Sequence, residues 1–297
     1  MSVRIGTRGS KLALVQTNNV LKRLTELGFS SELKIITTAG DSALDRGLHM
    51  IGGQGVFVRE LDNAILRGEI DAAVHSMKDI PAKRPEDLLI VAIPPRDPPY
   101  DFFVFNRPLD EIYSVGTSST RRRAQLSRYY HCMPNVRVEP LRGNVDTRLT
   151  KLNDGLYDAI VLAEASLARL GYHVNGVRLP LDQFVPSPNQ GAIAVVCRDT
   201  PELRDVFAPL NDSYTAFDTG VERRVMEQVG GGCFTPQGIF CRNGNLIAEI
   251  LSLDGTKSVR ITETVKSFEE ATEIGIQLRE SASELIEEAR DELGVKL

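Results

Sequence analysis

At 297 residues, with 42% hydrophobic and 25% charged residues, the chain has the make-up of a globular protein and length for two or three domains. No apolar run reaches the ~18 to 20 residues that span a bilayer, and the opening MSVRIGTRGS lacks the apolar core and cleavage site of a signal peptide. A cytoplasmic protein with no membrane partner is expected. Cys132, Cys197, Cys233 and Cys241 stand apart, with no CxxC pair and no histidine at ligand spacing, which argues against a metal site and, in the cytosol, against disulfides.

In chain order, Val3 to Ile5 reads as a strand, GTRGS as a turn, and Lys11 to Leu27 as an amphipathic helix stopped at Gly28. Residues 32–36 alternate as a strand. TAGDSALDRGLHMIGGQGV, residues 38–56, is Gly-rich and aperiodic, as expected of a mobile lid. GEIDAAV (68–74) reads as a helix exit and a buried strand, followed by HSMKDIP. Two of these patterns recur: RIGTRGS is echoed by SVGTSST at 114–120, and GEIDAAV by GLYDAIV at 155–161. The repetition predicts two similar parallel α/β domains.

PPRDPPYD (94–101) and VPSPNQG (185–191) read as hinges, and the apolar run AIAVVC (192–197) reads as a central strand returning to the first sheet. The expected fold is α/β: two solute-binding-protein-like α/β domains around a cleft plus a small C-terminal α+β domain. The boundaries are 1–95 with 190–212 for the first domain, 100–186 for the second and 216–297 for the third. In the third, turn signals at RNGN and LDGT predict an antiparallel meander, and an acidic amphipathic helix is expected over 267–293.

The net charge of −5 conceals an asymmetry. Residues 116–150 hold seven arginines, no lysine and two acids, whereas 267–297 hold nine acids and three basic residues. Arginine's planar fork pairs bidentately with carboxylate or phosphate. GTSSTRRRAQL (116–126) places hydroxyls of Thr117, Ser118 and Ser119 and the arginines Arg121 and Arg122 at a helix start, where the helix dipole also favours an anion. Arg123 is expected to be solvated. LRGNVDTRL adds Arg142 and Arg148 around Gly143, the end of the LARLG helix adds Arg169, and the first Gly-Thr turn adds Arg8. Nucleic acid is a weak rival, since only 6% of residues are aromatic and Trp is absent. Asp79 and Lys78 follow a buried strand; an acid amid arginines stays ionised and can stabilise a developing cation or relay a proton. His75 reads as a packed strand-end residue. Cys233, in GGGCFTPQG, has small neighbours that a core thiol does not need and no His or Asn pattern of a cysteine hydrolase, so it reads as a covalent attachment point.

HSMKDIP, GTSSTRRRAQL, LRGNVDTRL, QGAIAV and GGGC, together and in order, resemble the motifs of the porphobilinogen deaminase (hydroxymethylbilane synthase) family over roughly the first 80% of the chain. The resemblance implies a transferase of tetrapyrrole and heme biosynthesis, a monomer that condenses four porphobilinogen molecules, with loss of ammonia from each, to the linear tetrapyrrole hydroxymethylbilane. It further implies a dipyrromethane cofactor joined by a thioether to Cys233 and a catalytic Asp79 that stabilises the cationic azafulvene. Arg8, Arg121, Arg122, Arg142, Arg148 and Arg169 match positions that bind the pyrrole carboxylates. Ser10, Lys78, Thr117, Ser118, Ser119 and Gly143 support them, and Phe57 matches an aromatic near the lid. Asn189, Thr120, Thr235 and Gln237 depart from the family's usual residues. The alternative is a non-catalytic two-lobed binding protein for a polycarboxylate, which leaves Cys233 and Asp79 without a role.

Overall fold

The recurrence of Gly-Thr and Gly-x-x-Asp along the chain corresponds to two five-stranded sheets of identical strand order in the computed structural model, which describes residues 2–36, 56–82, 84–130, 135–230 and 234–294. The chain divides into two compact units, Met1–Asp97 with Gly191–Phe217, and Pro98–Gln190 with Asp218–Leu297.

In the first unit β1 (Ser2–Thr7) runs parallel to β2 (Ser30–Ile35) and to β3 (Ala72–Ser76), and β10 (Ile193–Arg198) lies antiparallel between β3 and β4 (Leu88–Ala92). The sheet order is β2-β1-β3-β10-β4. The AIAVVC run thus enters the first sheet as expected. Its apolarity is continuous because both faces are covered: Val195 and Cys197 join a core with Val3 and Ile5, while Ala194 and Val196 join another with Leu61 and Ile65. The Lys11–Glu26 helix begins at Ser10, whose hydroxyl accepts from Ala13 N, and gives way to Gly28 at φ 85°.

The second unit repeats the plan. β6 (Ser114–Gly116) is parallel to β7 (Arg137–Glu139) and to β8 (Ala159–Ala163), and β5 (Asp101–Phe105) lies antiparallel between β8 and β9 (Gly176–Arg178). In each sheet the antiparallel strand is the one that follows a passage of the chain from one unit to the other. β5 comes just after Asp97 and β10 just after Gln190.

The repeated residues do the same work twice. Asp71 accepts from the backbone N–H of Arg4, and Asp158 from those of Tyr113 and Ser114, so each acid ties the start of one strand to the next. A side chain on Gly6 would meet Ile70 at 2.2 Å, and one on Gly116 would meet Tyr157 at 2.9 Å. The Gly of Gly-Thr therefore makes room for the residue just before each Asp.

β11 (Gln237–Arg242), β12 (Asn245–Leu251) and β13 (Ser258–Thr264) form an antiparallel meander, with Asn243 at φ 51° and Gly244 at φ 75° turning the first hairpin. The helix expected over 267–293 is two helices, Phe268–Ser281 and Ser283–Glu292. The break is at Ala282, with φ −107° and ψ 15°. Leu278, Ala282, Leu285 and Ala289 are all buried, so the helical spacing of apolar residues runs through the break and hides it from a reading of periodicity.

Candidate functional site

Arg8, Ser10, Lys78 and Asp79 belong to the first unit, and the remaining anion-binding candidates to the second. Lys78 and Asp79 sit on the single turn Met77–Asp79 beyond β3, Lys78 half-buried and Asp79 exposed. Met77 is buried and its N–H donates to Ala192 O at 3.0 Å, which anchors the turn to the residue before β10. Arg8 is half-buried in the loop after β1, and Ser10 caps the helix. His75 is buried, and its Nε2 has no hydrogen-bond partner among the described residues. Burial, with the charges of Arg84 and Arg8, pushes its pKa down to about 3, so the imidazole is neutral near neutral pH.

In the second unit β6 delivers Thr117, whose N–H donates to Glu139 O at 2.8 Å and whose hydroxyl accepts from Ser119 N. Ser119 then caps the Thr120–Tyr129 helix by accepting from Arg122 N, and Ser118 is left exposed. Arg121 and Arg122 are both buried, whereas Arg123 is exposed, as the sequence suggested. The pair converges on Asp101, the first residue of β5. Arg121 Nη1 donates to Asp101 Oδ2 at 2.6 Å, and Arg122 Nε and Nη2 donate to Oδ1 at 3.0 and 2.8 Å. Gln190 Nε2 adds a bond to Oδ1 at 2.9 Å. Burial alone would raise the Asp101 carboxyl, but the charges of Arg121 and Arg122 and these hydrogen bonds outweigh it and hold the group well below the usual carboxylate range.

The loop after β7 turns at Gly143, φ 114°, whose carbonyl accepts from Arg148 Nε at 2.8 Å. Arg142 is exposed and Arg148 half-buried, and Arg169 is half-buried on the last turn of the Glu164–Leu170 helix. Burial pushes the Arg148 pKa down to about 10, and the charge of Arg122 adds to the effect. Cys233 and the expected lid at 38–55 lie outside the described residues, as does the side chain of Phe57 on the Val56–Leu66 helix.

Asp101 and Gln190 are the site residues that a linear reading passes over, because both sit inside Pro-rich segments taken as hinges. A usable signal exists. Two adjacent arginines at a buried helix start need a buried acid, and Asp101 opens the apolar strand DFFVF.

The second unit is an α/β fold that carries arginines at one helix start and in the loop after β7, and arginine's planar fork pairs with carboxylates. Comparison with known proteins makes this particular. Residues 3–204 match the family model of the porphobilinogen deaminase dipyromethane cofactor-binding domain, and residues 216–284 match that of the porphobilinogen deaminase C-terminal domain. The probable porphobilinogen deaminase of Methanosarcina acetivorans is 46% identical over 96% of this chain and 94% of its own. That of Methanocella arvoryzae is 46% identical over 98% and 99%, and the porphobilinogen deaminase of Nitratiruptor sp. is 40% identical over 97% of each. The chain belongs to the porphobilinogen deaminase family, a family of transferases with a dipyrromethane cofactor. The expected binding-protein alternative is not favoured. No helix among the described residues is long and apolar enough to cross a membrane.

Proposed function

We propose that this chain condenses four porphobilinogen molecules and one water, releasing one ammonia from each porphobilinogen, to give hydroxymethylbilane. The observation that carries the reading is the family match, which covers residues 3–204 and 216–284. Each pyrrole brings an acetate and a propionate, and the donors present suit such groups: exposed Ser118 and Arg142 and half-buried Arg148 and Arg169 can each meet a carboxylate. In the second unit Thr117, Ser119 and Gly143 complete the set, and in the first unit Arg8, Ser10 and Lys78 offer the same chemistry. Cys233 would hold dipyrromethane through a thioether, and the group would supply the free pyrrole carbon to which the first substrate is joined. In each round the aminomethyl C–N bond of a substrate breaks, ammonia leaves, a C–C bond forms and the pyrrole carbon loses a proton. After four rounds the bond to the primer breaks, the primer's pyrrole carbon regains a proton, and water adds its hydroxyl to the methylene carbon of the released chain. Asp79, exposed beyond β3, holds its negative charge beside the cation that forms when ammonia departs. Cytoplasmic location and a monomeric state complete the reading.

Intact-mass measurement tests it. The purified protein is expected to exceed its bare chain by two pyrrole units, and the Cys233→Ser variant is expected to lose them. Asp79→Ala is expected to keep the added mass while turnover falls at least about a hundredfold. A bare-chain mass in protein that still binds porphobilinogen would sink the proposal.

A further inference from the structure

The Thr120–Tyr129 helix carries a polar stripe that includes one of its two ligand-candidate arginines. Arg121, Gln125 and Arg128 stand four and three residues apart, on one face. That face meets the three-stranded sheet. Glu249 of β12, whose side chain is fully buried, accepts from Gln125 Nε2 at 3.0 Å and from Arg128 Nη1 at 3.1 Å, and Arg260 of β13 completes its shell with Nε at 3.0 Å. Gln125 is the relay. Its Oε1 accepts from Arg121 Nη1 at 2.8 Å, and its Nε2 also donates to Val185 O, which in turn accepts from Arg121 Nη1 at 2.9 Å.

A second contact fixes the same helix. Gly255, at φ 76° in the β12–β13 turn, lies so close that a side chain there would stand 2.1 Å from Ala124 O. The sheet is therefore seated on the helix backbone one residue from Gln125. Two buried carboxylates, Asp101 and Glu249, face the four guanidinium groups of Arg121, Arg122, Arg128 and Arg260, leaving an excess of two positive charges around the helix.

We propose that Glu249 is a positioning residue for the anion site: through Gln125 it sets the guanidinium of Arg121, and so links the three-stranded sheet to carboxylate recognition. The inference rests on the reading of Arg121 as a ligand for pyrrole carboxylates. The geometry supports a relay rather than a simple clamp. Gln125 can accept from Arg121 only while its amide nitrogen is turned toward Glu249 and Val185. A neutral amide in place of Glu249 is free to offer its own N–H, which removes the reason for that orientation.

Two measurements test it. First, a double-mutant cycle in urea unfolding pairs Glu249→Gln with Arg121→Lys. Effects that fall short of additivity, equivalent to at least about a threefold coupling in the unfolding constant, support the relay, and additive effects overturn it. Second, Glu249→Gln is expected to raise KM for porphobilinogen roughly five- to tenfold while kcat stays within about twofold, and adding Gln125→Leu is expected to raise it no further. An unchanged KM, or a further rise in the double variant, overturns the positioning role even if the variant melts at a lower temperature. Should Glu249→Gln fail to fold, Glu249→Asp, which keeps the charge but withdraws it by one methylene, takes its place in both measurements. A wild-type protein without turnover would sink the deaminase reading instead, and the unfolding cycle would still decide the coupling.

Discussion

The two five-stranded sheets share an order, and β3–β10 and β8–β5 share a register, yet the same position is filled by opposite chemistry. Asp101 at the start of β5 lies across from Ala163, and Ile193 at the start of β10 lies across from Ser76, so the two residues are structural equivalents. The helix positions two and three after the capping serine are Arg121 and Arg122 in the second unit, and Leu12 and Ala13 in the first. The glutamine six after the cap, Gln125 or Gln16, is buried in both. In the first unit Gln16 Nε2 simply donates to Ser76 Oγ at 2.8 Å. A buried group of charges gives no more stability than well-packed apolar side chains of similar volume, and in the first unit the corresponding residues are buried Ile193 and half-buried Leu12 and Ala13.

Breaking Asp101 should have the largest effect. Asp101→Asn leaves two buried guanidinium groups facing a neutral amide, and unfolding in urea is expected to show a loss of about 3–5 kcal/mol. The pH dependence follows from the depressed folded pKa. The contribution of Asp101 is complete above the unfolded carboxyl value of about 4 and is lost as pH falls below it, so the variant should lack that part of the wild-type acid sensitivity. An unfolding midpoint that falls just as steeply below pH 4 in the variant would assign the acid loss to other groups.

The first unit should respond to acid for the opposite reason. His75 is neutral in the fold, with its pKa pushed down to about 3 by burial and by the charges of Arg84 and Arg8. The unfolded imidazole takes up its proton near pH 6.5, so stability present above that value is lost as pH falls from about 6.5 toward 3, by up to about 1.4 kcal/mol per unit. His75→Leu is expected to flatten that window, which unfolding midpoints between pH 7 and 5 would reveal. The smallest effect belongs to Gln16→Leu. Losing its bond to the half-buried Ser76 should cost about 1 kcal/mol, well below Asp101→Asn, and equal losses would erase the contrast between the units.

Much of the frame was legible in the chain. The Gly-Thr and Gly-x-x-Asp repeats announced two like sheets, because each short motif has the same task in both units: a serine caps the helix it precedes, and the glycine clears space for the residue before the Asp, Ile70 for Gly6 and Tyr157 for Gly116. The apolar run 192–197 announced a strand covered on both faces. The break at Ala282 was not legible, since burial spacing continues across it and only the backbone departs. Among the site candidates, exposed Arg123 and packed His75 follow from their local setting.

What the sequence determined by itself was therefore local and chemical: where strands and helices begin, which side chains can bind an anion, and which family's motifs the chain carries. Only the tertiary structure decided which charges meet. Arg121 finds Asp101 twenty positions away, and Gln125 finds Glu249 at a separation of 124. A buried charge must take its partner from whatever segment the fold brings beside it, and for these residues that segment belongs to another strand, distant in the chain.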